Sequence, residues 1–128
     1  MKKKKKKKPK KHCPKHIFIF DDIGNELKLP SIAQLLKTNR HLKSKVIISS
    51  QYLNDLSVQG RKNIGYRLLF KGHTLEKLET IYKDADLSIP FEDFVEMYET
   101  ATEKQYNFFY IDCRDDEFRI NFNYKFII

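Results

Sequence analysis

The chain has 128 residues and a formal net charge of +8. Ten of its 25 basic residues lie between Met1 and His16, where there is no acid, so residues 17–128 hold 15 basic and 17 acidic side chains. The charge is therefore a property of one terminus, and the body is not a basic, nucleic-acid-like surface by composition. A hydrophobic content of 41% and an aromatic content of 13% exclude a disordered body. No apolar run reaches the roughly 18–20 residues of a membrane span. Two cysteines, Cys13 and Cys113, make no disulfide framework, and a reducing, intracellular setting is the expectation.

In chain order, residues 1–15 form a polylysine segment interrupted by Pro9 and Pro14, expected to be disordered through self-repulsion. Residues 16–128 are expected to form a single domain. The run Ile17-Phe-Ile-Phe20 predicts a strand buried on both faces and ended by Asp21-Asp22. Ser31 is placed to cap a helix with Ile32, Leu35, Leu36 and Leu42 on one face. Val46-Ile-Ile48 predicts a second buried strand, ending near Gln51. Residues 53–64 read as loop or short helix, and Tyr66–Phe70 as a third strand closed by Gly72. Thr74 can cap a helix carrying Leu75, Leu78, Ile81 and Tyr82. Ser88 and Pro90 start another helix, with Glu92 and Asp93 in its first turn and Phe91, Phe94, Val95, Tyr98 and Ala101 at helical spacing. Tyr106–Asp112 predicts a fourth strand. Residues 118–126 alternate apolar and polar, the pattern of a half-exposed edge strand or extended tail. Strands separated by helices predict an α/β fold with a mostly parallel sheet flanked by helices.

In such sheets functional groups gather at the carboxyl ends of the strands. Here those ends carry Asp21, Asp22 and Gln51. An apolar strand ending in two acids is the Walker B pattern. One carboxylate can hold Mg²⁺ and the next can orient or deprotonate a water; two turn-forming aspartates are the plainer reading. Gln51 can hydrogen-bond a phosphate or that water, or simply face solvent. Arg40, near a helix end, and Arg61, on a loop, can each act as an arginine finger or as ordinary surface cations. His12, Cys13 and His16 fall short of a zinc set, which needs about four ligands with paired spacing. His73 and Asp115-Asp116 read as solvated loop residues.

The strand ending in Asp21-Asp22, the segment Thr38-Asn-Arg-His-Leu42, the stretch Lys45-Val-Ile-Ile-Ser-Ser-Gln-Tyr-Leu-Asn-Asp55, and Gly60-Arg-Lys-Asn-Ile64 through Leu69-Phe-Lys-Gly72 occur in an order and spacing that resemble viral genome-packaging ATPases. These belong to the FtsK–HerA superfamily of P-loop enzymes; the poxvirus-type group, with relatives in giant viruses and virophages, is the nearest in pattern. The resemblance covers roughly residues 17–127. It implies a partial RecA-like P-loop ATPase core within a ring of subunits that moves double-stranded DNA into a capsid through a portal or vertex, in the virion or the infected cell. It also implies ATP and Mg²⁺ as ligands. Asp21 matches the Mg²⁺-binding acid, Asp22 the catalytic acid (often Glu in relatives) and Gln51 the sensor. Arg40 is the first choice for the finger and Arg61 the second.

The sequence departs from that pattern in one large respect. No G-x-x-x-x-G-K-[ST] occurs in the 128 residues, whose four glycines are Gly24, Gly60, Gly65 and Gly72. That loop supplies the amides and lysine that cradle phosphates. The expectation is a chain that represents the Walker B half of such a motor and is inactive alone. Its partners would be the missing half or homologous subunits. The alternative is a non-enzymatic module that binds nucleic acid through Lys2, Lys3, Lys4, Lys5, Lys6, Lys7, Lys8, Lys10 and Lys11. A product without activity is the third reading.

Overall fold

The computed structural model describes residues 16–39, 41 and 43–128. The polylysine segment and its lysines, His12, Cys13, Arg40 and Leu42 lie outside the described residues. Two sheets and four helices follow one another along the chain. β1 (His16–Asp21) leads through a 3-10 turn at Asn25–Lys28 to α1 (Pro30–Thr38) and then β2 (Ser44–Ser49). A second 3-10 turn, Leu53–Asp55, precedes α2 (Val58–Lys62) and β3 (Tyr66–Leu69). Two longer helices follow, α3 (Leu75–Ala85) and α4 (Phe91–Ala101). The chain then folds into β4 (Phe109–Asp112), β5 (Glu117–Ile120) and β6 (Tyr124–Lys125).

β1 and β2 pair in parallel over six residues, from His16 opposite Ser44 to Asp21 opposite Ser49. Parallel strands need a crossover, and α1 supplies it. Leu29 precedes α1 and Pro30 opens it, so Ser31 sits inside the first turn and is not the cap. Proline suits that place because its missing N–H has no partner in a first turn. The two strands were expected to be buried on both faces, and they are not. Phe20, Val46 and Ile48 pack on a small core of Leu27, Leu36 and Leu56, while Ile17, Ile19 and Ile47 stay more than half exposed. Helix α1 covers one face only, and no described element covers the other.

The second sheet corrects the expectation of a mostly parallel architecture. Its order is β3-β4-β5-β6 and every pair is antiparallel. The cause is local. Asp112 accepts hydrogen bonds from the amides of Arg114 (3.0 Å) and Asp115 (3.3 Å), and Asp116 takes the left-handed conformation at φ 49°. This closes a tight hairpin between β4 and β5. Asn121, also left-handed at φ 54°, turns the chain again and accepts from the Phe108 amide at 3.0 Å. Residues 118–126, expected as one strand or tail, are thereby split into β5 and β6. The strand expected from Tyr106 starts at Phe109, because Tyr106 lies in a turn at φ 69°.

The main core lies between this sheet and α3 and α4. Phe94, Phe109, Ile111, Phe118, Leu78 and Ile81 are at most 2% exposed. Thr74 caps α3 as expected, its hydroxyl accepting from the Lys77 amide at 3.3 Å. Phe94, Tyr98 and Ala101 form the buried stripe of α4, which begins after Pro90 with Glu92 and Asp93 in its first turn. Tyr98 also ties the sheet to the following loop. Its hydroxyl donates to the Phe70 carbonyl at 2.8 Å and accepts from the His73 amide at 3.1 Å.

His73 is consequently not a solvated loop residue. Its ring lies 6.0 Å from that of Tyr98, and burial, with the nearby Lys77 charge, holds its pKa below the ordinary 6.5. The unfolded chain thus takes up this proton at a higher pH than the folded one. Stability contributed here is fully present above about 6.5 and falls as pH drops through the interval down to the depressed folded value. His73→Gln is expected to flatten the pH dependence of the urea midpoint below pH 6.5. An unchanged slope would contradict this.

Candidate nucleotide-facing strand ends

The parallel register decides what meets at the carboxyl ends of β1 and β2. Asp21 stands opposite Ser49, and the Asp22 amide donates to the Ser49 carbonyl at 3.0 Å. Asp22 then leaves the strand in the left-handed conformation, φ 51°, which aspartate tolerates better than bulkier residues. Gln51 follows two residues after Ser49. Asp21, Asp22 and Gln51 are all exposed and share this one end of the sheet. The turn that carries Gln51 is itself pinned. Ser50 Oγ donates to Asp55 Oδ2 at 2.5 Å and accepts from the Tyr52 amide at 3.3 Å. Ser50 and Asp55 were not singled out in the sequence, though a serine five residues before an aspartate across a turn is the signal that marks them.

Neither Asp21 nor Asp22 is neutralised by an ion pair among the described residues. Two adjacent exposed carboxylates on a rigid strand end suit a magnesium ion, which keeps several waters and takes one or two carboxylates together with phosphate oxygens. No group of three or more metal-ligating side chains occurs among the described residues.

The two arginines part company. Arg40 lies outside the described residues; its neighbour His41 is exposed in the turn after α1. Arg61 is 8% exposed. Its Nε donates to Asp84 Oδ2 at 2.9 Å, and its Nη1 reaches Asn54 Oδ1 at 3.3 Å. Its own carbonyl accepts from Arg67 Nη2 at 2.8 Å. The structure therefore does not bring Arg61 to the Asp21–Gln51 end as a free cation; it spans from α2 to α3 as a buried tie. No described helix is long and apolar enough to cross a membrane.

Solved structures of the genome packaging NTPase B204 from Sulfolobus turreted icosahedral virus 2 share the fold. The complex with ATP-gammaS superposes with a TM-score of 0.62 at 26% identity, covering 88% of this chain and 52% of that one. The complex with AMPPCP gives 0.62 at 25% identity over the same shares. The chain thus spans about half the length of the packaging NTPase it matches. No match is found among curated proteins. The family model described as Poxvirus A32 protein matches residues 1–117, and the chain belongs to that family.

Proposed function

We propose that this chain contributes the Walker B side of a viral genome-packaging NTPase of the FtsK–HerA type, driving double-stranded DNA into a capsid. The observation that carries the reading is the parallel pairing that sets Asp21 and Asp22 beside the Ser49–Gln51 strand end. The B204 structures hold ATP-gammaS and AMPPCP, which supports a nucleotide as the ligand of this end. Asp21 would hold a magnesium ion, which would supply charge neutralisation for the phosphates. Asp22 orients the attacking water and takes its proton, and Gln51 hydrogen-bonds that water or the terminal phosphate.

The 128 residues contain no glycine-rich phosphate loop. The amides that cradle phosphates must then come from residues beyond these, in the same subunit or in another polypeptide. Homologous subunits in a ring, and a capsid portal or vertex, are the further partners of this reading. The burial of Arg61 favours Arg40 as the finger. The lysines at positions 2–8, 10 and 11 supply a basic arm suited to a DNA backbone.

Two tests follow. The 128-residue chain alone is expected not to turn over ATP. In the packaging enzyme that contains it, Asp22→Asn should lower kcat by about 10²–10⁴ with KM little changed, whereas Asp21→Asn should raise the magnesium concentration needed for activity. Full kcat in Asp22→Asn would overturn the assignment. Arg61→Ala is expected to lower unfolding stability by about 3–5 kcal/mol, because it leaves Asp84 buried and unpaired. A loss of less than about 1 kcal/mol in urea denaturation would contradict the structural role and return Arg61 to the list of fingers.

A further inference from the structure

A cleft of about 440 Å³ opens at the other end of the fold, where Asn39, His41, the ends of α1, α2 and α3 and the β4–β5 turn converge. It is separated from the Asp21–Gln51 end by the length of β2, about 20 Å for six residues. Lys37, His41, Lys62 and Arg114 line it, with the amide side chain of Asn63. Neither lysine nor Arg114 is ion-paired among the described residues. Of the two acids on its wall, Asp84 is already committed to Arg61 at 2.9 Å, which leaves Asp86 against three full positive charges.

Gly65 leaves room for the Arg114 guanidinium at the cleft. A Cβ at residue 65 would lie 3.1 Å from Arg114 Nε and 3.3 Å from its Nη2. The absence of a side chain lets the guanidinium rest against the backbone at the cleft. Lys37 and Lys62 also complement the carboxyl ends of α1 and α2, but Arg114 sits on a turn and has no helix end to complement. A planar donor without a carboxylate, beside two ammonium groups and a carboxamide, matches a phosphate group.

We propose that this cleft is a phosphate-binding site distinct from the nucleotide-facing strand ends. Its ligand is a phosphate of the DNA backbone or of a small phosphate compound. The inference does not depend on the assignment of Asp21 and Asp22.

The test is amide-resolved NMR titration of the full chain with inorganic phosphate and, separately, with a short DNA duplex. Phosphate is expected to shift the amides of Lys62, Asn63, Gly65 and Arg114 saturably. Arg114→Gln should weaken that binding about tenfold. Gly65→Ala should weaken it as well, with no change in charge, by displacing the guanidinium. Lys104→Gln, an exposed charge elsewhere, should leave it unchanged. Shifts at the same amides with the duplex identify the DNA backbone as the source; shifts with phosphate alone identify a small phosphate compound. Absence of saturable shifts with either probe overturns the proposal. So does equal binding by Arg114→Gln, Gly65→Ala and the parent chain.

Discussion

The hydrogen bond from the Asp22 amide to the Ser49 carbonyl closes the parallel pairing of β1 and β2, and the placement of the acids at that end depends on it. A slip of one residue would turn each side chain of β1 to the opposite face. Phe20 would leave the core of Leu27, Leu36 and Leu56, and the two acids would no longer stand beside Ser49. The register is therefore set by apolar packing at one face and read out as acid placement at the strand end. The left-handed turn at Asp22 and the Ser50–Asp55 hydrogen bond fix the two chain exits that carry Asp22 and Gln51.

The fold has two cores of unequal weight. The larger lies between the antiparallel sheet and α3 and α4; the smaller holds β1, β2 and α1. Arg61 and Asp84 tie them together, since α2 packs on α1 and α3 carries the partner carboxylate. A buried pair of this kind adds little net stability over an apolar substitute but is costly to break from one side. The acid-bearing strands thus rest on the smaller core and lean on the larger one through a polar joint. Their uncovered face, with Ile17, Ile19 and Ile47, is the apolar surface that parallel sheets elsewhere keep covered on both sides.

The placement of Asp21 and Asp22 at a strand end was legible in the sequence, because an apolar run ending in two acids survives as a pattern without knowledge of neighbours. The cap at Thr74 and the buried stripe of α4 were legible for the same reason: each depends on residues within a few positions. The antiparallel sheet was not. Residues 108–111 read Phe-Phe-Tyr-Ile, so the alternation between the inward Phe109 and Ile111 and the outward Phe108 and Tyr110 is masked by aromatics on both faces. Nor could the burial of Arg61 be seen, since its partner lies 23 residues away on another helix. The cleft around Arg114 is assembled from several separate elements, and no local motif announces it.

The most direct measurement of the central claim is site-resolved broadening by a paramagnetic ion. Manganese titrated, with nucleotide, into the packaging enzyme that contains this chain is predicted to broaden the amides of Asp21, Asp22, Ser50 and Gln51 together, at concentrations that leave the amides of α3 and α4 sharp. Broadening of Asp21 and Asp22 without Ser50 and Gln51, or equal broadening at the acids of α3 and α4, would contradict the account.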